Sequence, residues 1–438
     1  MSRILLKGGC VLSLDRKVGN LRVGDVLIDG SIIAAVGPNL GAAEAEVIDA
    51  TDTIVMPGFV DTHRHMWRGI LRHHADPVVS TFGQFYLPDD AYIADLVSAL
   101  GAIDAGITTI LDWSDIQISP EHTEAVIAAL VESGIRAVFA YGFGPGTESD
   151  RRHQRSLAEI AEHHFSSTDQ LLRLALAPPG PEFGSLELAR SHWELARSLD
   201  ARISVHAGVG SSGQNQKLSA MGRAGLLGAD TTYVHCATLS DDEIGMIADT
   251  GGSFSLSPAV EMMIGYGTPS IQRVLNRGKR PSLSVDSETS APNDIFTQMR
   301  SVISLQHAQF FDQRLAGKAG LPNPLTTRDV LEFATIEGAR ANGLADITGS
   351  LTPGKQADVI MLRTDRPNIY PINDPIGAVV WGMDTSNVDW VFVAGRVLKR
   401  RGVLEAEVVR VRKQAVAARD RVAAASGLLV ESGAGGAG

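Results

Sequence analysis

Between residues 57 and 290 the sequence alternates short, almost wholly apolar runs with longer stretches in which apolar residues recur at helical spacing. Continuous apolar runs are typical of parallel strands that are buried on both faces, with amphipathic helices covering those faces. Eight such runs can be counted, at residues 59–63, 108–113, 137–141, 172–177, 202–206, 232–235, 253–257 and 282–286. Eight strand–helix units favour a closed (β/α)8 barrel, the TIM-barrel architecture, over an open doubly wound sheet.

The segments that flank the predicted barrel are rich in β-like runs. Short runs separated by Gly, Asn or Asp turns fill the first 56 residues, and further runs follow at 358–362, 378–380 and 388–393. We predict that both segments build one small composite β-sandwich beside the barrel. The predicted units are 1–56 and 351–400 for the β-sandwich, 57–350 for the barrel, and 401–438 for a last helix, near 405–425, with a flexible Gly-rich tail.

Polar side chains end several of the predicted barrel strands. His63 and His65 are two residues apart and therefore point to the same side of the first strand, while His206, His235 and Asp286 close the fifth, sixth and eighth strands. Each of these residues can also have a purely structural role, because a strand-end His is often a core residue and an Asp often caps the next helix. All of them nevertheless converge on the C-terminal mouth, where barrel enzymes place their chemistry.

This set suits a divalent metal ion. Neutral imidazoles and a carboxylate are ligands of Zn²⁺, with Fe or Mn as alternatives, and we predict a metal ion held by His63, His65, His206 and Asp286. Such an ion lowers the pKa of water towards neutrality. Asp286 would accept the proton of that water and return it to the leaving group, and His235 would polarise the bond under attack.

Charge and cysteine content narrow the possible partners and location. The formal net charge is −11 and no run of five Lys or Arg occurs, so neither a nucleic-acid footprint nor binding to an anionic membrane is expected. Only Cys10 and Cys236 are present, which excludes a disulfide framework and fits a reducing, cytoplasmic location. No signal peptide and no apolar stretch of 18 residues is found.

Several motifs resemble the amidohydrolase superfamily, and within it the branch of cytosine deaminase, guanine deaminase, adenosylhomocysteine deaminase and the triazine hydrolases. They occur in the family's order along nearly the whole chain: Pro57-Gly58-Phe59-Val60-Asp61-Thr62-His63-Arg64-His65, Ala105-Gly106-Ile107-Thr108-Thr109, Gly225-Leu226-Leu227-Gly228 before Val234-His235-Cys236, Ala334–Arg340 and Gly349–Asp358. The resemblance implies a metal-dependent hydrolase with a barrel and a composite β-sandwich, and a homo-oligomer, dimer or tetramer.

Two departures from the family pattern affect the expected chemistry. Relatives with two metals carry a carbamylated Lys on the fourth strand, but residues 172–177 contain no Lys, so we predict one ion per chain. The deaminases place a proton-shuttling Glu three residues after the fifth-strand His, where this chain has Val209. A valine cannot transfer a proton, so Glu261 or Glu288 from neighbouring loops is a candidate replacement.

Further residues near the predicted mouth are candidates for contact with a small-molecule substrate: Trp67, Arg68, Trp113, Gln214, Glu261 and Glu288. Aromatic walls suit a heterocycle or aromatic amide, and Arg68 or Arg72 would meet an anionic group or form a surface ion pair. The leading hypothesis is hydrolysis of a C–N bond, by deamination or amide cleavage. Two alternatives stay open, namely displacement of chloride or a thiolate from a heteroaromatic ring and a metal-binding scaffold without turnover.

Overall fold

A computed structural model describes residues 3–41, 43–74, 77–143 and 151–428; for 77–80 and 151–156 it describes the backbone only. The first strands along the chain belong to the terminal sheet and the next eight to the barrel. The strands are β1 Arg3–Leu12, β2 Asn20–Asp29, β3 Ile32–Gly37, β4 Ala45–Asp49, β5 Thr53–Pro57, β6 Phe59–Arg64, β7 Ile107–Gln117, β8 Arg136–Phe143, β9 Leu172–Ala177, β10 Arg202–Ala207, β11 Thr231–His235, β12 Ser253–Leu256, β13 Ser282–Leu283, β14 Val359–Arg363, β15 Val388–Val393, β16 Arg396–Arg400 and β17 Val403–Leu404.

Helices connect the barrel strands and cover their outer face. The α-helices are α1 Pro88–Asp104, α2 Pro120–Ser133, α3 Arg151–His164, α4 Leu186–Ser198, α5 Lys217–Arg223, α6 Asp241–Asp249, α7 Pro258–Met263, α8 Ile271–Leu275, α9 Ile295–Leu315, α10 Thr327–Phe333, α11 Ile336–Ala341, α12 Pro375–Gly377 and α13 Val408–Ser426. Short 3-10 helices occupy Met66–Leu71, Pro77–Phe85, Gly210–Asn215 and Thr385–Asn387, and a π-helix spans Ala378–Gly382.

The eight strands β6 to β13 form one parallel sheet in sequential order, which confirms the predicted (β/α)8 barrel. The last strand returns to the first through backbone hydrogen bonds beyond the end of β13. The N–H of Asp286 donates to His63 O and the N–H of His65 donates to Asp286 O, both at 2.9 Å. Each of these predicted ligands is therefore fixed by the hydrogen bonds that close the barrel.

The two terminal segments share a second, mixed sheet of nine strands, as the sequence predicts for a composite β domain. Its centre is the antiparallel pair β5 and β14, in which Thr53 is opposite Arg363 and Pro57 is opposite Val359. β1 pairs with β2, β4 and β5 and so ties the N-terminal strands to this pair. The division at residues 56, 350 and 400 stays a prediction.

Some local expectations differ from the structure. Residues 378–380 were expected as a strand but lie in the π-helix Ala378–Gly382, because Asp374 caps the preceding turn by accepting the N–H groups of Ile376 and Gly377. The last helix begins at Val408 rather than near residue 405. The predicted flexible tail beyond Leu428 lies outside the described residues.

A buried ion pair joins the barrel to the terminal sheet. Arg136, the first residue of β8, donates from Nε and Nη2 to the two carboxylate oxygens of Asp358 at 2.6 and 3.0 Å. Asp358 also accepts the N–H of Ala394, and its backbone oxygen accepts the N–H of Gly58. These contacts involve the N-terminal ends of barrel strands, so the terminal sheet lies at the end of the barrel away from the mouth.

The helices in the described part of the chain include none that is both long and apolar enough to cross a lipid bilayer.

Loss of the Arg136–Asp358 pair should destabilise the protein. The side chains of both residues are at most 3% exposed, so Arg136→Met leaves a carboxylate buried without its partner, at a cost of about 3–5 kcal/mol. The matched control Arg363→Met breaks an ion pair with Asp365 in which both side chains are more than a third exposed, and should cost less than about 1 kcal/mol. Urea denaturation of the variants measures both values, and equal costs would contradict a stabilising role for the buried pair.

Candidate metal centre

Four imidazoles and one carboxylate meet at the C-terminal mouth of the barrel. Nε2 of His63 lies 3.2 Å from Nε2 of His206 and 3.5 Å from Oδ1 of Asp286. The Nε2 atoms of His65 and His235 lie 3.7 and 3.9 Å from the same carboxylate. Among the described residues, ligand atoms within 4.8 Å of one another form the groups His63–His65–His206 and His63–His235–Asp286. The structure thus brings together all of the histidines and the aspartate that the strand ends predict.

The backbone at two of these positions has an unusual conformation. His235 and Asp286 have φ values of 73° and 67°, in the left-handed region that side chains other than glycine rarely adopt. Asp286 is therefore not the cap of the next helix, a role that Asp294 takes by accepting the N–H of Thr297. Strained backbone of this kind persists where surrounding contacts enforce it, and it is concentrated at functional sites.

Two of the imidazoles are oriented by carboxylates that contact their outer nitrogens. Nδ1 of His65 lies 2.9 Å from Oδ1 of Asp115, and Nδ1 of His235 lies 3.1 Å from Oε1 of Glu261. Because a carboxylate accepts a hydrogen bond, Nδ1 carries the proton in each pair and Nε2 is turned towards the centre. Such carboxylate–histidine pairs orient metal ligands and make them more basic.

Burial keeps the central histidines neutral. It lowers the pKa of His63 to about 3, against the opposing effect of Asp286, and it lowers the pKa of His206 well below its usual value. Burial alone would raise the pKa of Asp286, but His63, His235 and His65 hold it below its usual value. At neutral pH the centre therefore offers unprotonated ring nitrogens from His63 and His206 and an ionised carboxylate from Asp286.

This donor set fits a divalent cation. Two ring nitrogens at 3.2 Å without a proton between them repel each other through their lone pairs, and a positive ion between them removes that repulsion. Nε2 of His235 is buried and has no hydrogen-bond partner among the described residues. Nitrogen donors with one carboxylate suit zinc, iron or manganese better than calcium or magnesium, which prefer oxygen.

Two tryptophans support the imidazoles. The ring of Trp113 lies 4.2 Å from that of His206 and 5.1 Å from that of His65, while its Nε1–H donates to Ser204 O. Trp67 is 2% exposed and donates from Nε1 to Asp115 at 2.6 Å. Both were predicted to contact substrate, and their polar atoms are engaged by protein groups.

The predicted site residue Glu288 lies in a buried network of charges. Its carboxylate accepts hydrogen bonds from Arg64, at 2.9 Å, and from Arg72 and Ser98. These two arginines hold the pKa of Glu288 below its usual value although burial alone would raise it. Because Arg64 also donates to Asp61, this environment favours a role for Glu288 in fixing the first strand over contact with substrate.

One predicted site residue lies away from the histidines, and one residue that contacts them was not predicted. Gln214 is exposed on the 3-10 helix Gly210–Asn215, and no described hydrogen bond joins it to the histidines. Sequence reasoning missed Asp115, because the second barrel strand was expected to end at residue 113 whereas β7 continues to Gln117. The rule that selected Asp286, a carboxylate near a strand end, finds Asp115 once the length of β7 is known.

Comparison with protein-family models matches residues 54–398 to the amidohydrolase family. Among characterised relatives, a 5'-deoxyadenosine deaminase of Methanothermobacter thermautotrophicus is 30% identical over 92% of this chain and 94% of its own length. A 5-methylthioadenosine/S-adenosylhomocysteine deaminase of Pelotomaculum thermopropionicum is 28% identical over 95% of this chain and 98% of its own.

Solved structures share the fold. A mutant atrazine chlorohydrolase of Arthrobacter aurescens, in complex with zinc and atraton, superposes with a TM-score of 0.83 at 22% identity, covering 95% of this chain and 100% of that one. An adenosine deaminase of Xanthomonas campestris with bound zinc gives 0.83 at 20% identity, covering 97% and 99%.

Asp115→Asn should weaken metal binding, because the amide cannot hold His65 with the same basicity. Loss of such an orienting group lowers metal affinity by about 10–100-fold. The matched control Glu124→Gln removes a carboxylate that contacts His164 at the surface and should leave the affinity unchanged. Competition of each folded variant with a chelator measures the affinity, and an unaltered value for Asp115→Asn would contradict this role.

Proposed function

The chain belongs to the amidohydrolase family, and we propose that it deaminates an aminated heterocycle by hydrolysis of the exocyclic C–N bond at a single zinc ion. The family membership makes it a metal-dependent hydrolase acting on C–N bonds through activated water. The observation that carries the proposal is the convergence of His63, His65, His206 and Asp286 beside His235. The deaminases among its relatives favour a purine-like substrate.

His63, His65, His206 and Asp286 would hold the ion. When bound, the ion supplies positive charge that lowers the pKa of water and polarises the substrate. The protein supplies the orientation. Asp115 holds the ring of His65, Trp113 packs against His65 and His206, and the barrel-closing hydrogen bonds fix Asp286.

Asp286 is placed to move the proton of the attacking water. Its Oδ2 lies 3.9 Å from Nε2 of His235, and three histidines keep the carboxylate ionised. We assign to this carboxylate the acceptance of the water proton and its later delivery to the departing amine. One group thus serves first as base and then as acid.

His235 is assigned the role of hydrogen-bond donor to the substrate. Glu261, which is itself buried, accepts the Nδ1 proton of His235 and, together with Asp286, raises the pKa of this imidazole above its usual value despite burial. A charged imidazole with both nitrogens protonated can donate from Nε2 to a ring nitrogen that gains electron density. The Glu261–His235 pair would thereby do the work of the shuttle missing at Val209.

Val209 also supports a second candidate, displacement of chloride or a thiolate from a heteroaromatic ring. These leaving groups depart without protonation, so this reaction needs no shuttle at position 209. The proposal also includes a cytoplasmic location, which the cysteine content supports, and a homo-oligomer, dimer or tetramer, which the family resemblance implies.

Purified protein should contain about one zinc per chain and should release ammonia from at least one compound in a panel of adenosine derivatives, pyrimidines and amino-triazines. His63→Ala should remove the metal and lower kcat/KM by more than about 10³-fold, since the ion contributes several kcal/mol to the transition state. Metal analysis and assays for ammonia and chloride check this. Chloride without ammonia would favour the second candidate, while full turnover without metal, or metal without any turnover, would contradict the proposal.

Val209→Glu should raise deamination at least about tenfold, because a positioned acid–base group contributes about 10²–10⁴-fold and the existing pair is expected to supply part of it. Val209 is partly exposed, with φ −96° and ψ 117°, so a longer side chain needs no change of backbone. Val209→Gln, of the same size but unable to transfer a proton, is the control. A Glu variant no faster than the Gln variant would show that no shuttle is missing.

A further inference from the structure

Arg68 lies on the first loop of the barrel mouth, three residues after His65, and forms no ion pair with any residue that the structure describes. It belongs to the 3-10 helix Met66–Leu71, in which its N–H donates to His65 O. In the described part of the chain the guanidinium has no hydrogen-bond acceptor, and no carboxylate there lies within 4.0 Å of it. The side chain is partly buried, and its Nε is fully buried with no partner in those ranges.

Two buried arginines elsewhere in the protein are paired with carboxylates, whereas Arg202, which is partly buried, donates among the described residues only to the backbone oxygen of Ala341. Arg64 is held by Asp61 and Glu288, and Arg136 is held by Asp358 in a bidentate contact. Burial of a polar atom without an acceptor is costly, and at Nε of Arg68 this cost is recovered when an anion binds. Arg68 therefore differs from these arginines, because its guanidinium has no acceptor among the described residues.

The contacts of this guanidinium connect it to the metal centre. It stacks on the indole of Trp67, with Cζ 5.1 Å from the ring centroid, and Trp67 in turn donates to Asp115, the partner of His65. Arg68 also opposes the effect of burial on the pKa of Tyr266, whose ring lies 4.9 Å from that of His235. The side chain is thus linked through Trp67 to the Asp115–His65 pair.

We propose that Arg68 binds a carboxylate on the substrate, so that the substrate is an aminated heterocycle with one anionic substituent. The inference rests on the proposed function, since it assigns the part of the substrate remote from the reacting bond. A planar guanidinium stacked on an indole is held with its donors fixed for a carboxylate. A single unpaired guanidinium among the described residues, with the Asp115 carboxylate nearby, favours one negative charge over the double charge of a phosphate.

Binding of matched probes to the zinc-loaded protein tests the assignment without turnover. The probes are adenosine-5'-carboxylic acid, its 5'-carboxamide and adenosine 5'-phosphate, with 4-aminopyrimidine-5-carboxylic acid and its carboxamide as a second pair. Titration calorimetry should show at least one acid binding about tenfold or more tightly than its amide, as expected for a charge-assisted pair. Equal binding of acid and amide in both pairs, or tightest binding of the phosphate, overturns the assignment.

Variants of Arg68 then test whether this residue causes the preference for the acid over the amide. Arg68→Gln should abolish the discrimination between acid and amide, while Arg68→Lys, which keeps the charge but loses the planar fork, should retain part of it. The control is Arg16→Gln, which changes an exposed arginine between β1 and β2 of the terminal sheet. This variant should keep the full preference for the acid. A preference that survives in Arg68→Gln overturns the proposal.

The outcomes also separate this inference from the proposed function. If the protein releases ammonia but binds acid and amide equally, deamination is supported and the role of Arg68 is contradicted. If the preference for the acid depends on Arg68 but the protein releases no ammonia from any probe, the anion site is supported and deamination is contradicted.

Discussion

The closure of the barrel at Arg64 and Asp286 is the constraint on which the site depends. The first and last strands meet through two backbone hydrogen bonds that join His63, His65 and Asp286. Arg64, between the two histidines, is fully buried, and Asp61 and Glu288 neutralise it. These contacts fix the backbone between the two imidazoles at the point where the barrel closes.

Burial has opposite effects on the two kinds of group in this centre, and both effects favour a bound cation. It removes protons from His63 and His206, so that their lone pairs are free, while the surrounding histidines keep Asp286 ionised. The carboxylates of Asp115 and Glu261 hold the proton of His65 and of His235 on Nδ1. These contacts give the donors of the proposed metal site defined directions and protonation states.

The sequence predicted the parts of the site that depend on strand ends, because a polar residue that closes an apolar run is visible without coordinates. His63, His65, His206, His235 and Asp286 are of this kind. The orienting partners were harder to find. Asp115 follows a strand whose length depends on its neighbours, and the function of Glu261 depends on the turn after β12 that brings α7 back to His235. Likewise, the helical turn at 378–380 follows from a cap at Asp374 that apolar periodicity cannot detect.

The pairing of β5 with β14 has a consequence for the way the chain folds. Thr53 is opposite Arg363, so about three hundred residues must leave the ribosome before the central pair of the terminal sheet can form. Until then β5 has an open edge, which is a site for mispairing with other chains. Pairings of such long sequence separation are slow to form. We therefore infer that the barrel assembles first and serves as the template on which the two ends of the polypeptide finally join.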